Sequence, residues 1–126
     1  MAKNDIFKNI FDVRGFIKSL LIALRGIFYL FVYHRNMRLI FILGILAFLT
    51  GIYLKLKGIE LVTLCITITL VFMAEIFNTA IEMMMNVFTE KYNVKIRLIK
   101  DIAAGIVVLT CLNALAVGYT LLLRKL

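Results

Sequence analysis

Four polar residues recur inside one strongly apolar stretch of this sequence, and their types and spacing suit metal-assisted chemistry. They are Glu75, Asn78, Glu82 and Asn86. At about 100° per residue in an α-helix, all four fall within an arc of about 80°. Carboxylate and amide oxygens are the ligands that Mg²⁺ prefers, and a carboxylate near such an ion can take a proton from a hydroxyl. The stripe therefore predicts a hard-metal site with a candidate base.

The same stripe also has a purely structural interpretation, in which polar side chains hold membrane helices together. Glutamate suits that purpose poorly, because a charged group inside a membrane span is costly and has to be neutralised or paired. The presence of both Glu75 and Glu82 therefore favours the chemical interpretation, and the structural one stays open beside it.

The composition predicts that the element carrying this stripe lies in a membrane. The chain has 126 residues, of which 63% are hydrophobic, and its mean hydropathy is +1.03. Soluble domains are closer to half apolar, so we expect a single all-α membrane domain over residues 1–126. Apolar residues at helical spacing predict an amphipathic surface helix over about 4–25. Three longer apolar runs predict transmembrane helices over about 34–54, 60–88 and 98–123.

The distribution of basic residues predicts the orientation. The chain carries a net charge of +8, with eleven Lys and Arg up to residue 38 and in the 91–100 loop, against four near residues 55–58 and at the C-terminus. Basic residues favour the cytoplasmic side, so we expect the N-terminus in the cytoplasm and the C-terminus outside. Lipid headgroups, and not nucleic acid, are the expected partners of this charge, because the sequence has no nucleic-acid recognition motif.

Two segments carry a resemblance to a known family. Glu75-Ile-Phe-Asn-Thr-Ala-Ile-Glu82, followed after a loop by Lys100-Asp101-Ile-Ala-Ala-Gly105, resembles the signature of the prokaryotic diacylglycerol kinase and undecaprenol kinase family. The resemblance covers nearly the whole chain, including the surface helix, the three spans and the loop lengths. It implies ATP-dependent phosphorylation of a membrane lipid alcohol, with Mg²⁺, by a homotrimer in the cytoplasmic membrane of a bacterium. The Asn-Thr-Ala-Ile-Glu and Asp-Ile-Ala-Ala-Gly forms are more similar to the undecaprenol branch, so undecaprenol is the expected substrate and diacylglycerol the next.

The resemblance also implies a role for each residue that matches the signature. Glu75 resembles the general base that takes the proton from the lipid hydroxyl, and Glu82 resembles a ligand of the nucleotide-bound metal. Asn78 is expected to line the same site. Lys100 and Asp101 resemble residues near the nucleotide phosphates.

Two positions depart from the family pattern. His34 stands where the family has a metal-binding glutamate, and no Asp or Glu between Asp12 and Glu60 replaces it. Asn86 stands where the family has an aspartate. We expect His34 to be a metal ligand and Asn86 to contribute to the nucleotide site, with lower Mg²⁺ affinity than two carboxylates would give. These losses also motivate an alternative, a catalytically weakened or non-catalytic membrane protein on the same scaffold.

Overall fold

A computed structural model of the chain describes residues 13–88 and 94–126, and all regular secondary structure in these ranges is helical. The elements in chain order are α1 (Val13–Tyr33), α2 (Arg35–Tyr53), α3 (Ile59–Phe88), α4 (Val94–Leu121) and a short 3₁₀-helix (Leu123–Lys125). All four α-helices are long and apolar enough to cross a membrane. The expectation of an all-α membrane protein is therefore confirmed.

The chain divides into two compact units, residues 1–35 and 36–126. In the first unit, α1 continues to Tyr33, past the predicted end near residue 25, because residues 26–33 are apolar and contain no helix breaker. The predicted residues 4–12 of this helix lie outside the described ranges. None of the residues of α1 is buried. Its cations Arg14, Lys18 and Arg25 fall within an arc of about 40°, as an amphipathic helix requires.

In the second unit, α2 and α3 form a hairpin whose connection and close approach depend on glycine and leucine. Lys55 and Gly58 both have positive φ, 62° and 63°, and they reverse the chain direction. Leu56 turns inward between them and is 3% exposed. A Cβ atom at Gly51 would lie 2.6 Å from Cδ2 of Leu64 and 3.2 Å from Cδ1 of Leu56. Only glycine therefore lets α2 come this close to α3 without displacing Leu64.

The α3–α4 pair makes the most extensive interhelical contact of the second unit. The pair is antiparallel, since Lys125 Nζ lies 2.7 Å from Glu60 Oε2 at one end and Lys100 Nζ lies 2.9 Å from Asn86 Oδ1 at the other. α4 begins at Val94, earlier than the predicted 98, so Lys100 lies almost two turns inside the helix.

Few side chains of the described residues are buried, and three of these eight are polar. The buried apolar ones are Met37, Leu56, Leu64, Ala74 and Ala103, and the buried polar ones are Thr67, Glu75 and Thr79. Most large apolar side chains on α1–α4 are exposed instead. Such a surface is stable against lipid chains or another subunit, because in a membrane the apolar surface needs no water-excluding core.

Candidate active site

The stripe predicted from the sequence lies on α3, and the structure buries its inner part. Glu75 is 5% exposed and Thr79 is 4% exposed. Thr79 is part of the signature, but the sequence analysis assigns it no role. Helical geometry could have placed it on the stripe, since Thr79 lies only about 40° from Glu75 around the helix. Ionisable groups are rare inside membrane spans because they are costly there, which is why the buried Glu75 carboxyl points to function.

Asn78 adds an unsatisfied acceptor to this buried part. Its side-chain oxygen Oδ1 is buried and has no hydrogen-bond partner among the residues the structure describes. An acceptor in this state costs roughly 1–3 kcal/mol, since it has lost water without gaining a donor. The site is therefore ready to accept a hydrogen bond from a ligand that carries an N–H or O–H group.

Toward the C-terminal end of α3 the stripe becomes exposed. Glu82 and Asn86 are both exposed, and they lie one and two turns beyond Asn78 and Thr79. Asn86 Oδ1 accepts a hydrogen bond of 2.9 Å from Lys100 Nζ on α4. The structure thus brings together two of the residues expected near the nucleotide, from two different helices.

Asp101 is oriented differently from its neighbour Lys100. Its carboxylate lies 4.0 Å from Nε of Arg97, one turn earlier on the same helix, and these side chains are 69% and 66% exposed. In residues 13–88 and 94–126, no hydrogen bond or ion pair joins Asp101 to the α3 stripe. Its expected place at the nucleotide site stays a prediction.

His34 belongs to the first unit and separates α1 from α2. Its backbone N–H still donates to the carbonyl of Leu30 at 2.9 Å. Its ring is half-buried, with its centroid 6.4 Å from that of Tyr29. The role of His34 as a metal ligand likewise stays a prediction, because this geometry concerns the first unit alone.

The chemistry of the α3 side chains fits a nucleotide-bound Mg²⁺ ion. Within the described parts of the chain, no three His, Cys, Asp or Glu side chains cluster closely enough to hold a metal by themselves. Mg²⁺ bound to a nucleotide needs only one or two protein carboxylates, since phosphate and water oxygens complete its shell. Glu82 supplies an exposed carboxylate, and the unpaired Asn78 Oδ1 supplies a further oxygen nearby on the same face.

An apolar groove of about 330 Å³ continues from the buried end of the stripe. It lies among three helices, and its floor on α3 includes Ile68 and Val71, which fall within about 40° of Glu75 around the helix axis. Small residues on the other two helices make room for it. These are Gly44 and Ala47 of α2 and Ala114 and Gly118 of α4.

Fold and site together define a helical membrane protein with a buried carboxyl on one intramembrane helix face. A family profile described as prokaryotic diacylglycerol kinase matches residues 21–122. A diacylglycerol kinase from Synechocystis sp. is 32% identical over 127 residues, which cover 99% of this chain and 73% of that relative. The chain therefore belongs to the prokaryotic diacylglycerol kinase family, a family of integral membrane lipid kinases, and the resemblance seen in the signature is confirmed.

Proposed function

We propose that this protein transfers the γ-phosphoryl group of Mg·ATP to the hydroxyl of a membrane lipid alcohol. Undecaprenol is the favoured substrate and diacylglycerol is the next. The observation that carries the proposal is the buried Glu75, which shares one helix face with the unpaired Asn78 oxygen and the exposed Glu82.

The position of these residues along α3 matches the depth at which such a reaction must occur. At 1.5 Å per residue, Glu75 lies about 24 Å and Glu82 about 35 Å from the start of the helix. The hydrocarbon core is about 30 Å thick, so a helix that enters it at Ile59 carries Glu75 inside the core and Glu82 among the headgroups. A lipid hydroxyl and a water-soluble nucleotide meet between these two levels.

Glu75 acts on the lipid hydroxyl in the proposed reaction. Its carboxylate accepts the hydroxyl proton while the oxygen attacks the γ-phosphorus, and the bond from that phosphorus to the bridging oxygen of ADP breaks. The hydroxyl carries one proton, which goes to Glu75, so Asn78 Oδ1 remains available to the nucleotide-bound ion. The products are the lipid phosphate and ADP, with the proton held on Glu75 until it passes to water.

Lys100 and Glu82 act at the nucleotide end. The Lys100 ammonium offsets the negative charge of the phosphates, and Glu82 and Asn78 would hold Mg²⁺ there. When bound, Mg²⁺ neutralises phosphate charge and fixes the phosphates in line with the attacking oxygen. Phosphoryl transfer depends mainly on such positioning and charge neutralisation, so no further nucleophile on the protein is needed.

The apolar groove is the place we assign to the hydrocarbon chain of the lipid. It starts one turn beyond Glu75 and runs away from the nucleotide end along α3 and α4. A lipid whose hydroxyl reaches Glu75 extends its chain in this direction, because the bilayer interior lies there. The lining is apolar apart from Thr67, whose hydroxyl already donates to the carbonyl of Thr63 at 2.8 Å.

The proposed setting is the cytoplasmic membrane of a bacterium, with the N-terminus in the cytoplasm and three spans formed by α2, α3 and α4. We place α1 on the membrane surface, because Arg25 in the middle of this helix would otherwise lie near the bilayer centre. The exposed apolar faces support assembly into a homotrimer.

The test is a kinase assay on purified protein in mixed micelles. The protein receives Mg·ATP with undecaprenol or with diacylglycerol, and phosphorylated lipid is measured. Faster turnover of undecaprenol is expected, while faster turnover of diacylglycerol would reverse the substrate order. Light scattering on the same sample gives the mass of the assembly.

A second candidate is a non-catalytic member of the family. It is favoured by His34 and Asn86, which replace two acidic residues of the family pattern. Absence of phosphorylation with both lipids, in a sample whose fold is intact by circular dichroism, would support this candidate and overturn the kinase.

A further inference from the structure

One polar contact links α3 and α4 at the nucleotide end of the candidate site. Lys100 Nζ donates to Asn86 Oδ1 at 2.9 Å, across fourteen residues of sequence. Asn86 is exposed and Lys100 is half-buried, so the ammonium is held at the boundary between protein and water. Long lysine side chains lose rotamer entropy when they are fixed. A partner that fixes the ammonium before the nucleotide arrives removes part of that loss from binding.

We propose that Asn86 is a positioning residue that holds the Lys100 ammonium ready for the nucleotide phosphates. The inference rests on the proposed kinase function and assigns a new task to Asn86, in place of metal binding. An amide oxygen suits this task because it accepts one hydrogen bond without cancelling the charge. The ammonium has three donors, so it keeps two for phosphate oxygens while the bond to Asn86 persists.

A carboxylate at position 86 would act differently. It would form an ion pair with Lys100, lower the positive potential at the site and compete with the phosphates for the ammonium. If Asn86 instead served as a weak metal ligand, a carboxylate there would strengthen Mg²⁺ binding. The two roles therefore predict opposite effects of Asn86→Asp on nucleotide binding.

The experiment measures KM for ATP, kcat and the half-saturating Mg²⁺ concentration in Asn86→Ala, Asn86→Asp, Lys100→Ala and Asn86→Ala/Lys100→Ala. For Asn86→Ala we expect KM for ATP to rise about three- to tenfold, with kcat within about twofold, as for loss of one hydrogen bond that serves binding. For Asn86→Asp we expect a rise in KM of about tenfold, which diminishes as salt weakens the exposed ion pair. Val87→Ala is the control, since Val87 is adjacent and 85% exposed, and its constants should match the wild type.

The double variant decides whether Asn86 acts through Lys100. In the Lys100→Ala background, adding Asn86→Ala should change KM by less than twofold, because the side chain it positions is gone. Additive effects of the two substitutions would overturn the proposal. A lower KM for ATP or a lower Mg²⁺ requirement in Asn86→Asp would also overturn it. A wild type without any lipid phosphorylation would instead refute the kinase itself, so the two failures are distinguishable.

Discussion

Glu75 differs from the other acidic residues that the structure describes. Glu60 is half-buried, and Glu82 and Asp101 are exposed, whereas Glu75 is 5% exposed. An ionisable side chain inside a membrane helix is costly, so the presence of a buried carboxyl at this position is best explained by a chemical role.

At the residue scale, replacing Glu75 by Gln tests the assigned base. The amide keeps the shape of the side chain but cannot take the hydroxyl proton, so kcat should fall roughly 10²- to 10⁴-fold. Kinase assays in micelles measure the change. Glu60→Gln is the matched control on the same helix, and it should keep kcat within about twofold, because Glu60 forms its ion pair with Lys125 at the far end of α3. Equal turnover in Glu75→Gln and wild type would rule Glu75 out as the base.

Sequence reasoning identified the α3 stripe because helical periodicity fixes which residues share a face. It identified Glu75, Asn78 and Glu82 on one arc without any tertiary information. It did not predict the hydrogen bond between Lys100 and Asn86, because that contact depends on the axial register between two helices. Nothing in the local sequence of either helix encodes that register.

At the element scale, the α2–α3 hairpin depends on the close approach at Gly51. A methyl group there would lie 2.6 Å from Cδ2 of Leu64 and 3.2 Å from Cδ1 of Leu56, so these two buried side chains would have to shift. Gly51→Ala should therefore lower the free energy of unfolding by about 1–3 kcal/mol, as overpacking does. Thermal or denaturant unfolding in detergent measures this loss.

The matched control for that substitution is Gly105→Ala. A Cβ atom at Gly105 has no neighbour within 4 Å, so the change should be neutral or stabilise α4 by about 0.5–1 kcal/mol through helix propensity. Equal stability of the Gly51 and Gly105 variants would contradict the packing at the hairpin.

The apolar groove among α2, α3 and α4 leads to a second prediction at the element scale. Gly118→Leu places a side chain into the groove from α4, where a Cβ atom meets nothing within 4 Å, so the fold should tolerate it. If the lipid chain lies there, kcat/KM for the lipid should fall at least about tenfold, while KM for ATP stays within about twofold. Ala116→Leu is the control, because Ala116 is an exposed residue of the same helix outside the groove. An equal loss in both variants would place the chain elsewhere.

Helix boundaries show where local sequence stops being informative. α3 is described as far as Phe88, and residues 89–93 lie outside the described ranges, so the predicted limit of this span stays a prediction. The end of α1 was predicted near residue 25, yet the helix continues to Tyr33. After Arg25 the amphipathic pattern gives way to an apolar stretch. The side-chain pattern changes there, but the backbone stays helical.

At the scale of the whole molecule, the number of membrane crossings decides whether the N-terminus and the C-terminus lie on the same side of the membrane. Length and composition allow four spans, whereas the amphipathic pattern of the N-terminal helix predicts three spans with α1 on the surface. Three crossings put the N-terminus and C-terminus on opposite sides, and four put them on the same side.

Reporter fusions distinguish these topologies. A phosphatase reporter that works only outside the cytoplasm should be active when fused after Lys57 or Leu126, and inactive when fused before Met1. A fluorescent reporter that folds only in the cytoplasm should give the reverse pattern. Matching signals at the two ends of the chain would show that α1 crosses the membrane.

The unpaired oxygen of Asn78 makes the empty site less stable than the occupied one. This oxygen has lost water without gaining a partner, and that cost lasts only while the site is empty. If the nucleotide-bound Mg²⁺ supplies the missing partner, binding relieves the cost. The site then loses stability each time the nucleotide leaves and regains it when the next one binds.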